Sequence, residues 1–185
     1  MEGVASMPID LGIVERARRG DRDAFAAIYR EYRPFVAGYI YRLVRNPDIA
    51  ADLTQDVFIN AYRAIGRTRP DLNLKAWLFT IASNAAISYH RRRRSLQWLP
   101  IGETGPEPTT PGHEDELAAN EQLSEAMAAL PRDQLACLLL QVRAGYSFEE
   151  IGGILGISAG AARTRAFRAR SALVKALRSK EEGCR

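Results

Sequence analysis

Cysteine is scarce in this chain. Cys137 and Cys184 are its only two, too few and too far apart for a disulfide scaffold or a zinc site. Cys137 lies in an apolar run and reads as a core thiol, and Cys184 lies in the tail. No run of about 18 apolar residues is present, so no membrane-inserting helix is expected. The amino end also lacks the basic-then-apolar order of a signal peptide, which places the expected protein in the cytoplasm. His90 and His113 have no Cys or second His at ligand spacing, and no glycine-rich loop follows a strand, so no metal, cofactor or active site is expected. Strand-like alternation is missing as well. Between Ser95 and Pro131 there is no lysine or arginine, although the span carries seven acids: Glu103, Glu107, Glu114, Asp115, Glu116, Glu121 and Glu125.

What remains is ordinary for a globular protein: 185 residues, 46% hydrophobic and 26% charged, with a net charge of only +4. That length suits two small domains or one medium one. The placement of charge therefore matters more than its sum.

The most informative stretch is Gly145 to Leu177. Ser147 followed by Glu150 is a capping box, and Ile151, Ile154 and Leu155 mark one apolar face at helical spacing. Gly156 supplies a C-cap, Ile157 can turn inward and Ser158 can cap a second helix. A short helix, a three-residue turn and a longer helix make a helix-turn-helix. On the second helix Ala162, Ala166, Ala169, Leu173 and Leu177 share one side, while Arg163, Thr164, Phe167, Arg168, Arg170 and Ser171 share the other. Small residues allow close packing, and the basic face can either enter a major groove or remain a solvated surface. Arg163 and Arg168 can each present a planar fork to guanine, Phe167 can meet a thymine methyl or a sugar, and Arg165 and Arg170 suit phosphates at the flanks.

The first ninety-odd residues read as helix. Asp10 can cap a helix running to Gly20, and Asp21 another bearing Phe25, Ile28, Tyr29 and Tyr32. Pro34 fits the first turn of a further helix with Val36, Ile40 and Leu43 inside. Asn46-Pro47-Asp48 is a turn, and Asp48 begins a helix that stops at Gly66, with Ile49, Leu53, Val57, Ala61 and Ala64 as its buried stripe. Asp52, Gln55 and Asp56 project elsewhere, with Phe58 near the border. Arg67 to Leu74 is too polar and proline-broken for helix. Asn73 or Asp71 can cap the next one, whose core positions read as Trp77, Leu78, Ile81, Ala85 and Ile87, and which ends in Arg91, Arg92, Arg93 and Arg94.

The acidic stretch is rich in Pro, Gly and Thr between Pro100 and Pro111, as expected of an extended linker. It can be a solubilising spacer or the occupant of a basic channel. Helix resumes near Asp115 and runs to Leu130, and Pro131 starts another through Arg143 with Leu135, Leu138, Leu139 and Val142 as its core face. The expected fold is all-α: a helical domain over 1–94, an acidic linker over 95–116 and a second helical domain over 117–185.

Three segments in this order resemble an extracytoplasmic-function sigma factor, the promoter-specificity subunit of bacterial RNA polymerase. AADLTQDVFINAYR (Ala50 to Arg63) is similar to the helix of that family that binds core polymerase. LKAWLFTIASN with the following arginines resembles the promoter-melting region, and Leu130 to Leu173 resembles the domain that binds the upstream element. The resemblance implies two domains, sigma region 2 and sigma region 4. It implies that Asp52, Gln55, Asp56 and Phe58 meet core RNA polymerase, with Phe58 as an apolar anchor. It also implies that the Arg67 to Leu74 loop holds a base flipped from the minus-ten element, with Asn73, Lys75 and Asn84 as contacts and Arg91 to Arg94 on phosphates. Arg163, Thr164, Arg165, Phe167, Arg168 and Arg170 would meet the minus-thirty-five element. The implied partners are core polymerase, promoter DNA and an anti-sigma factor, with the free chain a monomer and no regulatory domain beyond the recognition helix. The chain departs from the family at Gly152 and Gly153, which are expected to weaken their helix, at Ala161-Ala162 and at Ser88. A DNA-binding regulator with a sensor domain is the rival reading; it would not need the Asp52 to Phe58 face.

Overall fold

The computed structural model describes residues 10–96 and 122–183, and every regular element among them is helical. The amino-terminal unit comprises α1 (Leu11–Arg18), α2 (Arg22–Val44), α3 (Pro47–Ala64), a 3-10 turn (Ile65–Arg67) and α4 (Leu74–Leu96). The carboxy-terminal unit comprises α5 (122–128), α6 (Arg132–Val142), α7 (Phe148–Leu155) and α8 (Ala159–Gly183). The linker expected over 95–116 falls on residues outside the described ones from position 97 onward, and α4 itself continues through Leu96.

Side-chain caps fix where the helices begin. Asp10 Oδ1 accepts from Gly12 N at 3.0 Å, Asp21 Oδ1 from Asp23 N and Ala24 N at 2.9 and 3.0 Å, and Asn46 Oδ1 from Ile49 N at 2.9 Å. Each bond satisfies an amide that lacks an intrahelical partner. Asp21 is further paired with Arg16 at 2.6 Å, and the Ala24 amide and Arg16 together hold its carboxyl below the usual range.

Pro34 does not start a helix. It lies inside the continuous α2, where it removes one backbone bond at a typical cost of about 3 kcal/mol. Burial on both sides offsets that cost: Phe25, Ile28 and Tyr32 precede the proline, and Val36, Tyr39, Ile40 and Leu43 follow it, all in the core. The helix ends at Arg45, which adopts the left-handed conformation (φ 56°, ψ 33°) and donates its N–H to Tyr41 O at 2.7 Å.

Two expected core faces are corrected. On α4 the buried residues are Leu78, Phe79, Ala82, Ser83 and Ala86, whereas Trp77, Ile81 and Ala85 are half-buried and Ile87 is 45% exposed. This helix packs against α2 and α3 on one side and α7 on another, which rotates its buried stripe away from a simple one-sided pattern. On α6 burial runs without a break from Leu135 to Leu140, while Val142 is 62% exposed. It sits on the last turn, where the chain bends away toward Tyr146.

In the carboxy-terminal unit Ala162, Ala166 and Ala169 are fully buried, and their small side chains let α8 lie close to α6 and α7. The two units also touch: α7 packs on α4, and α6 on α2.

Candidate polymerase and nucleic-acid interfaces

Three surfaces gather the residues singled out by the sequence. The first lies on α3. Asp52, Gln55 and Asp56 are exposed, with Ile59 continuing the same stripe one turn on. An open groove of about 520 Å³ separates α3 from α2, lined by Asp52, Gln55, Tyr29, Arg33 and Tyr41 among others. A helix break at Pro34 would divide Tyr29 and Arg33 from Ala37 and Tyr41, so the sequence pattern does not show the α2 side of this groove. On one helix these four recur every four residues and share a face. Phe58 is not an exposed anchor: it is 4% exposed and its ring meets Tyr29 edge-on at 4.9 Å. Its ring completes the α2–α3 contact, so it supports the groove from within.

The second surface is the loop before α4. Arg67, Thr68, Arg69, Asp71, Leu72, Asn73 and Trp77 line an open pocket of about 410 Å³. Asn73 is the helix cap, its Oδ1 accepting from Ala76 N at 3.0 Å, so its amide nitrogen is the group left to face the pocket. Trp77, expected in the core, is half-buried and offers part of its ring to the cavity. The loop is held from behind by α1. Arg18, with only 15% of its side chain exposed, donates Nη2 to Thr68 O and Nη1 to Glu15 Oε2, both at 2.6 Å. Nothing in the local sequence joins positions 18 and 68. Gly66 completes the junction, since a Cβ there would stand 3.1 Å from Arg18 O.

Lys75 and Asn84 are not part of this pocket. The Lys75 ammonium points toward α7, bonding Ala144 O at 3.3 Å. Asn84 is exposed on α4, eleven residues beyond Asn73, about 16 Å along the axis. It shares a face with Trp77, Thr80, Ile87 and Arg91 at helical spacing. Arg91, Arg92 and Arg93 are exposed at the carboxy end of α4, where cations oppose the negative helix terminus; the Arg94 side chain is outside the described ones.

The third surface is the helix-turn-helix. Both bonds of the capping box form, Ser147 N to Glu150 Oε2 at 2.8 Å and Glu150 N to Ser147 Oγ at 3.2 Å. Gly156 takes the left-handed conformation at φ 66°, Ile157 N reaches Gly152 O at 3.0 Å, and Ser158 Oγ accepts from Ala161 N at 3.2 Å. The two adjacent glycines play different parts. A Cβ on Gly152 would lie 2.7 Å from Ile157 O and 3.3 Å from Ala159 N, so this glycine lets the turn close against its own helix. A Cβ on Gly153 would meet nothing within 4 Å, and there the residue only weakens the helix.

On α8, Arg163, Thr164, Phe167, Arg168 and Arg170 are exposed, Phe167 at 69%. Their surroundings differ. The Arg163 guanidinium stands over the Phe148 ring at 5.4 Å, which fixes its direction. Thr164 Oγ1 bonds back to Gly160 O at 2.9 Å. Arg165 is half-buried and pairs with Asp133 of α6 at 3.2 Å, tying α8 to its support. Arg170 Nη2 stands 3.5 Å from Gln141 Oε1, at the limit of a hydrogen bond. Arg168 has no acid or acceptor partner among the described residues. Burial pushes the Cys137 thiol, beneath α8, up to about 11. Among the described residues no cluster of His, Cys, Asp or Glu could hold a metal, and no helix is long and apolar enough to cross a membrane.

Comparison with known proteins assigns these surfaces to two family domains. Residues 28–96 match sigma-70 region 2, and residues 120–173 match sigma-70 region 4. The chain is 37% identical over 156 residues to the RNA polymerase sigma factor CarQ of Myxococcus xanthus, covering 84% of this chain and 90% of that one. It is 33% identical over 176 residues to the ECF RNA polymerase sigma-E factor of Escherichia coli, covering 89% and 92%. Among solved structures, the sigma factor RpoE of Bartonella quintana, in complex with the anti-sigma factor NepR, superposes with a TM-score of 0.68 at 29% identity, over 83% of this chain and 96% of that one. The chain therefore belongs to the extracytoplasmic-function sigma factors of RNA polymerase.

Proposed function

We propose that this protein binds core RNA polymerase and directs it to promoters, where it recognises two DNA elements, assists melting and starts transcription. The observation that carries this reading is that one chain pairs the region 2 and region 4 matches with an exposed acidic and amide face on α3 and an exposed arginine face on α8. Synthesis of RNA belongs to the polymerase; this chain contributes specificity and no active site of its own, and it acts in the cytoplasm, where the DNA lies. Restraint by an anti-sigma factor is the expected mode of control.

On the exposed face of α3 and its groove with α2, Asp52, Gln55 and Asp56 offer acceptors to basic groups of the polymerase, with Tyr29, Tyr41 and Ile59 supplying the apolar contact that Phe58 cannot. In region 2 a base leaving the duplex costs a few kcal/mol in lost stacking. The pocket between Arg67 and Trp77 offsets this with a half-exposed indole and the Asn73 amide, while Asn84 and Arg91 to Arg94 follow the strand along α4. In region 4 Arg163 and Arg168 read bases, Phe167 contacts a methyl or sugar, and Arg170 meets phosphate. Arg165 reaches phosphate only by leaving Asp133, exchanging one partly exposed ion pair for another.

Transcription in vitro from a matching promoter, with purified core polymerase and with or without this chain, tests the proposal. Specific transcripts should depend on the chain. A chain that binds the promoter fragment equally well without polymerase and yields no transcript with it would instead be a free-standing DNA-binding regulator.

A further inference from the structure

The arginines of α8 are held in unlike ways. Arg165 is paired with Asp133, Arg170 reaches toward Gln141, and Arg168 has no acid or acceptor partner among the described residues. Arg163 is held by a ring instead. Its guanidinium lies over Phe148, 5.4 Å from the ring centre, within the distance at which a cation is drawn to an aromatic face. Arg163 is exposed, while Phe148 is half-buried and packs against the core.

Local structure brings the two together. Phe148 is the first residue of α7, and the reciprocal bonds between Ser147 and Glu150 fix where that helix starts. Arg163 lies one turn into α8, and a helical side chain leans toward the amino end of its own helix. That lean carries Arg163 back over the turn toward α7. Phe167 and Arg168, one turn further on, lean over α8 itself.

We propose that Phe148 is a positioning residue for base recognition: its ring presets the Arg163 guanidinium, so that α8 meets the upstream element with one arginine already aimed. This rests on the reading that α8 binds that element and that Arg163 contacts a base. Three features support it. A ring contact takes up none of the N–H donors, so the planar fork stays free for guanine O6 and N7. An ion pair such as that of Arg165 with Asp133 must break before its arginine can do the same. A long side chain also loses rotamer freedom when it is immobilised, and a ring that already limits Arg163 reduces that loss on binding. Arg168, exposed on the same face, meets DNA without this help. Finally, the ring is itself anchored, since Phe148 packs against the core, and the guanidinium inherits a fixed support. Phe148 touches no DNA; it acts through Arg163.

The test uses holoenzyme carrying Phe148→Leu, Phe148→Tyr, Arg163→Ala, or Phe148→Leu together with Arg163→Ala. Each is titrated against single-base variants of the upstream element at two salt concentrations. Leucine keeps the apolar cover and removes the ring, whereas tyrosine keeps the ring. Phe148→Leu should weaken binding to the cognate element about two- to fivefold. The loss should fall at the base position that Arg163→Ala relaxes, with the salt slope unchanged because no charge is removed. In the Arg163→Ala background the same change should matter by less than about twofold. Phe148→Tyr should bind within about twofold of the parent. In the full chain without DNA, the Arg163 side-chain resonances should carry a ring-current shift that Phe148→Leu removes and Phe148→Tyr keeps.

Equal losses in the parent and Arg163→Ala backgrounds would make Phe148 a support of α7 alone and overturn the proposal. Equal losses at every base position, tighter binding by Phe148→Leu, or the absence of the ring-current shift would overturn it as well. A position relaxed by Arg163→Ala but left intact by Phe148→Leu defeats this proposal and spares the base-reading role of Arg163. If Arg163→Ala relaxes no position, that role fails, and the role of Phe148 with it.

Discussion

The surfaces proposed for nucleic acid in region 2 and region 4 are built in opposite ways. In region 4 the surface is one face of α8: Arg163, Thr164, Phe167 and Arg168 recur at helical spacing, and the opposite face is alanine. In region 2 the surface is an irregular loop whose shape is set by a residue fifty positions away, Arg18 on α1. A periodic face tolerates change around it because the helix supplies the geometry. A loop pocket depends on every remote group that ties it down. Substitutions outside the DNA-contacting residues should therefore damage region 2 recognition more than region 4 recognition.

The largest expected effect lies outside both DNA surfaces and sets the scale. Asp56→Arg reverses an exposed charge on a helix whose other side is fully committed to core, so co-purification with core polymerase should be abolished while thermal unfolding stays near that of the parent. Equal recovery of mutant and parent with the polymerase would remove the exposed α3 face from the account.

Arg18→Ala removes the donor to Thr68 O and the pair to Glu15. Hydrogen bonds to charged groups contribute about 1.5–3 kcal/mol, so the loop should loosen and promoter melting, read by permanganate reactivity of unpaired thymines, should fall. Binding to a fragment bearing only the upstream element should be unchanged. Loss of both together would mean that the two surfaces are not separable.

Within region 4 the turn is the exception to tolerance. Gly152→Ala pushes a methyl toward the Ile157 carbonyl and should destabilise the domain by about 1–3 kcal/mol. Gly153→Ala, one residue on with open space, should stabilise it by about 0.5–1 kcal/mol. Thermal unfolding of the two variants separates them, and shifts of the same sign would show that the turn relaxes freely.

The same contrast explains what could be read from the sequence. The helix-turn-helix was legible to the residue, because capping box, left-handed glycine and alanine stripe are local signals, and each forms as expected. The all-helical class was legible for the same reason. Pro34 misled, since tertiary burial on both sides of it outweighs a local rule. The same local break separates Tyr29 and Arg33 from Tyr41, so the face they share on α2 does not show as a pattern. Phe58 lies at the border of the α3 core stripe, and its contact with Tyr29 on α2 settles it inward. The direction of Lys75, the support from Arg18 and the need for glycine at 152 are contacts between distant or tightly turned backbone, which no pattern of residue types records.

The most direct test of the contrast is binding by holoenzyme carrying Arg168→Ala or Arg170→Ala to a set of single-base promoter variants at two salt concentrations. Arg168 is exposed with no protein partner among the described residues and stands in the middle of the α8 face; Arg170 lies at its flank beside Gln141. Arg168→Ala should cost about 1–3 kcal/mol at the cognate upstream element and relax the preference at one base position. Arg170→Ala should weaken every variant alike and reduce the salt slope by roughly one ion. If Arg168→Ala instead weakens all variants equally, α8 does not read bases through this face, and the periodic surface is an anchor on phosphates.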